Sequence, residues 1–184
     1  MLKAHTLATL MLLAIGCAGR QAIAVKPIQA VPAVDMNRFV GTWHEIATIP
    51  QPFEKDCYAA DTEYSLRDDG QLDVLSRCTT GGPGGPEITA HGLARILDRS
   101  SNSKLEQTFS GPFWSDRSII DLGDEYEFAV VGNARRDSLS VLSRSAQLDG
   151  FTYLRILGRA AKQGFDVSRL RRTPQSESRA VRGG

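Results

Sequence analysis

Side chains able to do chemistry near neutral pH are few in this chain. Three cysteines (Cys17, Cys57, Cys78) and three histidines (His5, His44, His91) are its whole supply of thiol and imidazole. Zinc sites gather such groups at short spacing, as in C-x-x-C or H-E-x-x-H, and neither spacing occurs. His91 alternates with Thr89 and Leu93 as a strand residue would, which argues against a general base. No G-x-S-x-G elbow and no Rossmann glycine pattern is present. Thr80 to Pro86 (TGGPGGP) is glycine-rich, but its prolines remove backbone donors and no Gly-Lys-Ser/Thr follows, so it is a loop that cradles no phosphate. Lys+Arg at 22 against Asp+Glu at 21 leaves no basic excess for nucleic acid. These residues predict no reaction, no metal and no cofactor.

Cys17 belongs to a different chemistry. Lys3 and the apolar run Ala4 to Ile15 have the length of a secretory signal core, well short of the ~20 residues that span a bilayer. The run ends Leu13-Ala14-Ile15-Gly16-Cys17, which resembles a bacterial lipobox, with Ala18 like the residue that follows in lipoproteins sorted to the outer membrane. Residues 1–16 then read as a lipoprotein signal, and Cys17 as the lipid attachment site that anchors the chain to the membrane. The alternative is cleavage after Ala22-Ile23-Ala24, giving a soluble periplasmic protein. Residues 17–34, with two prolines between Lys26 and Val34, read as an extended tether; 35–172 as the folded domain; 173–184 as a disordered tail.

The 184 residues suffice for one domain with a real core. Short strands separated by turn signals are expected at Phe39–Ile49, Cys57–Leu66, Gln71–Thr79, Glu87–Asp98, Lys104–Ser110, Arg117–Leu122, Tyr126–Gly132 and Ser138–Arg144. Asp68-Asp69-Gly70 marks a hairpin turn. The one expected helix places Leu148, Phe151, Leu154, Leu157 and Ala161 on its buried face, with Asp149 as N-cap and Gly164 at its end; Phe165, Val167 and Leu170 would form a last short strand. Eight strands and then one helix suit a closed barrel with the helix laid outside.

Gly41-Thr42-Trp43 at the start of the first strand looks like the G-x-W signature of the lipocalins, and Leu142-Ser143-Arg144 resembles their terminal arginine motif. Gly41–Ala47, Tyr64–Gly70, Gly111-Pro112-Phe113, Tyr126 and Gly164–Val167 extend the likeness, in order, to the bacterial lipocalins of the outer-membrane lipoprotein class, relatives of apolipoprotein D. The resemblance implies an all-β fold, an eight-stranded antiparallel up-and-down barrel with one C-terminal helix packed outside. It assigns structural roles to Gly41, Trp43 and Arg144, with the guanidinium over the indole at the narrow end. It also implies non-catalytic binding, storage or transport of a small lipophilic ligand, a fatty acid or lysophospholipid, at the cell envelope. Competing readings are a cysteine-dependent isomerase and a structural envelope protein whose barrel is filled.

With Trp43 inward, strand alternation sends Glu45, Ala47 and Ile49 into an apolar cavity. Glu45 is then either paired near the floor or exposed to ligand. Phe53, in the loop joining the first two strands, and Phe113 and Trp114 are placed at the mouth. Trp114 serves equally well on the surface, in a homodimer or membrane contact. Cys57 and Cys78 are expected to form a disulfide across the second hairpin, since the count apart from Cys17 is even and export is oxidising. A turn built on Asp68 and Asp69 sets Cys57 opposite Thr80, so the bridge requires a bulge, which the glycine-rich loop would absorb.

Overall fold

The structure, a computed structural model, describes residues 26–51, 56–82 and 84–175. Phe53, Cys17 and the signal region lie outside the described residues, as does the tail beyond 175. Eight strands run in order: β1 Gly41–Thr48, β2 Cys57–Leu66, β3 Leu72–Thr80, β4 Glu87–Ile96, β5 Lys104–Thr108, β6 Ser115–Leu122, β7 Phe128–Gly132 and β8 Leu139–Ser143. Each pairs antiparallel with the next, and β1 pairs with both β2 and β8, which closes the barrel. Two helices flank it: α1 Met36–Phe39 and α2 Gly150–Lys162. The closed eight-stranded barrel with an outer C-terminal helix is the architecture expected from the sequence.

The closed end is a plug of aromatics. Asp35 caps the single turn of α1 by accepting from the Asn37 amide, and that turn sets Phe39 beneath the barrel. Phe39 packs 5.4 Å from the Trp43 ring and 5.3 Å from that of Tyr64. The 26–34 segment is docked and is not a tether. Val34 is buried, and the Val31 and Val34 amides donate to the carbonyls of Ile119 and Ser101 at 2.8 Å each. Its apolar residues Ile28, Val31 and Val34 each find a packed slot on the barrel wall.

A second core lies between barrel and α2. All five residues of β7 are buried because one face meets the interior (Ala129, Val131) and the other meets the helix side (Phe128, Val130). The buried helical stripe is Ile156 and Ala160, with Tyr153 partly buried beside them; Phe151 and Leu154 are 73% and 67% exposed, and Ala161 faces solvent. The expected face is therefore rotated. α2 carries two overlapping stripes at three- and four-residue spacing, and polar partners choose between them. Arg159 pairs with Asp121 of β6 at 2.8 Å, and the Gln163 side chain exchanges hydrogen bonds with the Gln29 backbone. Asp149 does cap α2, by accepting from the Thr152 amide, and Gly164 ends it at φ +87°. Beyond it, Val167–Arg169 is a 3-10 turn and the last strand is only β9, Arg171–Arg172.

β9 and its successors do more than a tail would. β1 and β2 pair only from Gly41 to His44. Toward the open end the gap is filled by the C-terminal segment. Arg171 and Arg172 pair with Thr48 and Ala47, the Thr173 amide donates to Ile46, and the Ala59 amide donates to Pro174. Thr173 is buried, so the domain extends to at least residue 175.

Candidate functional site

Three irregularities in β1, β2 and the turn into β3 decide which of their side chains face the interior. The first is in β1. His44 and Glu45 pair with Ser143 and Leu142, but Ala47 pairs with Val141, so Ile46 is bulged out. A bulge shifts a period-two pattern by one. Glu45 keeps its inward phase, whereas Ala47 and Ile49 turn outward into the core under α2, and Thr48 lines the interior instead. The alternation expected for Ala47 and Ile49 fails at that point.

The other two irregularities offset each other across β2 and β3. Arg67 donates to Gln71, and Leu66 pairs with Leu72, so the turn holds three residues ending in Gly70 at φ +75°. That displaces the register by one from the turn expected on Asp68 and Asp69 alone. An extra residue between Tyr58 and Asp61, with Ala59 at φ +47°, restores Cys57 opposite Thr80. The Cys57–Cys78 disulfide spans this bulge with Cα atoms 5.4 Å apart. The bulge lies in β2 and not in the glycine-rich loop. Bonded to each other, neither sulfur is a thiolate, and the isomerase reading loses both of its nucleophiles.

Above the aromatic plug is a cavity of about 270 Å³, near the lower end of ordinary ligand pockets (roughly 300–1,000 Å³). Glu45 and Phe113 line it; Trp114 does not. Trp114 turns outward, its ring 4.3 Å from the Arg95 guanidinium, which also holds Glu106. Phe113 is 78% exposed and stands at the mouth, with Phe109 beside it. The cavity is far more polar than the sequence reading expected. Phe109, Phe113, Val131 and Leu142 are its apolar wall; Tyr64, Thr48, Thr62, Ser76, Gln107, Ser138, Ser140 and Arg117 are among the rest. Several hydroxyls satisfy one another, Thr48 with Ser140 and Thr62 with Ser76 at 3.2 Å each. Glu45 accepts from the Thr173 hydroxyl at 2.6 Å, which ties it to the C-terminal segment.

Sequence reasoning missed Tyr64 and Arg117. Ladder pairs Leu105–Arg117 and Gln107–Ser115 set Arg117 in phase with two cavity residues; extending the expected sixth strand back to Ser115 would have revealed it. Leu105 and Arg117 also border an outer hollow beside Lys26. Among the described residues Arg117 makes no ion pair, and its hydrogen bond goes to the Asp116 carbonyl at 3.3 Å. Burial pushes the Tyr64 phenol up to about 12, with the nearby Arg117 charge opposing the rise.

The lower end is built for rigidity. Trp43 is fully buried and donates from Nε1 to the Phe39 carbonyl at 2.8 Å. The Arg144 guanidinium lies 3.7 Å from the Trp43 ring and donates to the carbonyls of Arg38, Phe39, Val40 and Thr42 at 2.7–3.0 Å. Gly41 takes φ +97°, and a Cβ there would sit 3.4 Å from Arg144 Nη1. Among the described residues no group of His, Cys, Asp and Glu is disposed to hold a metal ion.

A family model for the lipocalin-like domain matches residues 34–175. The chain is 33% identical over 143 residues to the outer membrane lipoprotein Blc of Escherichia coli, covering 78% of this chain and 80% of that one. It is 30% identical over 166 residues to temperature-induced lipocalin-1 of Arabidopsis thaliana, covering 83% and 86%. Among solved structures, insecticyanin of the tobacco hornworm Manduca sexta superposes with a TM-score of 0.64 at 20% identity, over 83% of this chain and 86% of the other. A matched domain spanning the whole barrel, the G-x-W strand and its stacked arginine all lead to the same place: this chain belongs to the lipocalin family.

Proposed function

We propose that the protein binds and carries a single-chain lipophile, a fatty acid or lysophospholipid, at the bacterial cell envelope without acting on it chemically. The observation that carries this reading is the cavity of about 270 Å³, open beside Phe109 and Phe113 and closed below by Trp43, Phe39 and Tyr64. Lipocalins are known as binders of small hydrophobic ligands and are generally not enzymes, which supports the same reading. A cavity of this size suits one acyl chain and not two. The mixed wall favours an amphiphile over a pure hydrocarbon, since Ser and Thr hydroxyls would lose hydration against an alkane with nothing in return.

The envelope setting draws support from the lipobox-like Cys17, the disulfide and the likeness to a lipoprotein of the outer membrane. Lys26, the first described residue, is held by Arg136 in the loop between β7 and β8, at the open end of the barrel. The stretch from Cys17 to Lys26 reaches at most about 30 Å fully extended. A lipid on Cys17 would thus hold the mouth near the membrane surface, where single-chain lipids partition. Titration with fatty acids from about eight to about sixteen carbons tests the binding reading. Each buried CH₂ contributes ~0.8 kcal/mol, so affinity climbs with length until the cavity is full. A flat response removes the calyx as the binding site.

A further inference from the structure

The polarity of the cavity has a direction. Its exposed apolar groups, Phe109 and Phe113, stand at the mouth, while its cation, Arg117, and the phenol of Tyr64 lie deeper, the latter against the Phe39 plug. Neither deep group is spoken for. Arg117 has no carboxylate partner among the described residues, and the Tyr64 hydroxyl makes no hydrogen bond there although the residue is only 5% exposed. Among the described residues no fully sealed polar side-chain atom is left unsatisfied, so that hydroxyl opens onto cavity space. The other charged lining residue, Glu45, accepts from the Thr173 hydroxyl. A guanidinium half withdrawn from water and lacking a counter-charge is costly unless an anion meets it.

We propose that Arg117 and Tyr64 form an oxyanion subsite deep in the cavity, so that a single-chain amphiphile enters head first, its carboxylate or phosphate held there and its chain leaving past Phe109 and Phe113. This rests on the lipophile-binding reading above and adds the class and polarity of the ligand. Guanidinium suits both heads because its planar fork matches carboxylate and phosphate oxygens. Tyr64 remains a neutral donor throughout the neutral range because burial holds its phenol near 12. The hydroxyl walls, Thr62 with Ser76 and Thr48 with Ser140, then surround the polar part of the ligand. Orientation follows from chemistry: an alkyl chain placed at the floor would strip water from Arg117 and return nothing.

The test holds the tail constant and varies the head. Dodecanoate, dodecyl phosphate, dodecanol and dodecyltrimethylammonium displace a fluorescent single-chain probe from the full chain at about pH 8, where a carboxylic head is ionised. Both anions should bind about ten- to a hundredfold more tightly than dodecanol, the range of a hydrogen bond to a charged group, and the ammonium least well. The order of the two anions then says whether a free fatty acid or a phosphate head is the better fit. Arg117→Gln should erase the anion preference over dodecanol, Arg117→Lys should keep part of it, and Tyr64→Phe should weaken both anions. Equal binding of all four heads by the unaltered chain, or a preference that survives Arg117→Gln, overturns the subsite and leaves lipophile binding standing. Failure of every head, dodecanol included, removes the binding reading itself.

Discussion

Truncating Trp43 and Arg144 together asks whether the closed end is held as the geometry describes. Trp43 is fully buried, and Trp43→Ala should cost about 3–5 kcal/mol, the range for emptying a large aromatic site. Arg144→Ala loses the stack at 3.7 Å and the hydrogen bonds to four carbonyls, of which that of Phe39 keeps its Trp43 Nε1 donor. The carbonyls of Arg38, Val40 and Thr42 lie near the surface and rehydrate, so the loss should be about 2–3 kcal/mol, well under the sum of four charged hydrogen bonds. The two groups share only the ring face and the Phe39 carbonyl, to which both donate. Their coupling should therefore be about 1–2 kcal/mol, the size of a desolvated cation–π contact. Urea unfolding followed by far-UV circular dichroism measures it, because a Trp43 variant alters the fluorescence signal. Trp43→Phe is the control: it keeps a ring face, gives up the Nε1 bond and should retain most of the coupling to Arg144. Additivity of the two alanine variants within about 0.5 kcal/mol would refute the stacked arrangement.

Other consequences are as specific. Ile156→Ala should cost about 2–4 kcal/mol by thermal or urea unfolding, whereas Phe151→Ser and Leu154→Ser should each stay within about 0.5 kcal/mol, since they face solvent. Reducing the Cys57–Cys78 bridge, with its 21-residue separation, should destabilise by about 3 kcal/mol, and a thiol count under denaturing conditions without reductant should find neither sulfur reactive. Thr48→Trp should abolish binding of single-chain lipids while the barrel remains folded, and Ile49→Ala should lower stability with binding largely kept, because the β1 bulge sends Thr48 inward and Ile49 outward. Asp137 is held below the ordinary carboxylate value of 3.8, first by the Asn133 side-chain amide and then by Arg135. A depressed carboxylate contributes stability that is present above its unfolded pKa and is lost as pH falls through the folded one. Melting temperature should therefore drop more steeply below about pH 4 in the unaltered chain than in Asp137→Asn.

Strand order, the closed barrel and the late helix were legible because they depend on turn signals and on periodicity summed over many residues. Side-chain direction was not, because single inserted residues control it. The bulge at Ile46 reverses every inward assignment beyond Glu45, and nothing in Glu45-Ile46-Ala47 distinguishes a bulge from a regular strand. The extra residue near Ala59 and the three-residue turn at Gly70 offset each other, so Cys57 met Thr80 for reasons local pattern could not supply. The roll of α2 depends on Asp121 and Gln29, far away in sequence. Likewise Lys26–Val34 reads as a proline-rich linker until the barrel offers the carbonyls of Ile119 and Ser101. The polar cavity was the largest surprise. Its Ser and Thr residues sit at inward positions of the strands, so hydrophobicity alone does not point to the face that lines the cavity.

Native mass spectrometry of the protein purified from its own host tests the central claim most directly, with the same sample denatured to identify whatever is released. The account predicts one single-chain lipid per barrel, absent from the Thr48→Trp variant prepared in parallel. A protein that arrives bare and stays bare when offered dodecanol and dodecanoate, or an adduct that persists unchanged in Thr48→Trp, would contradict it.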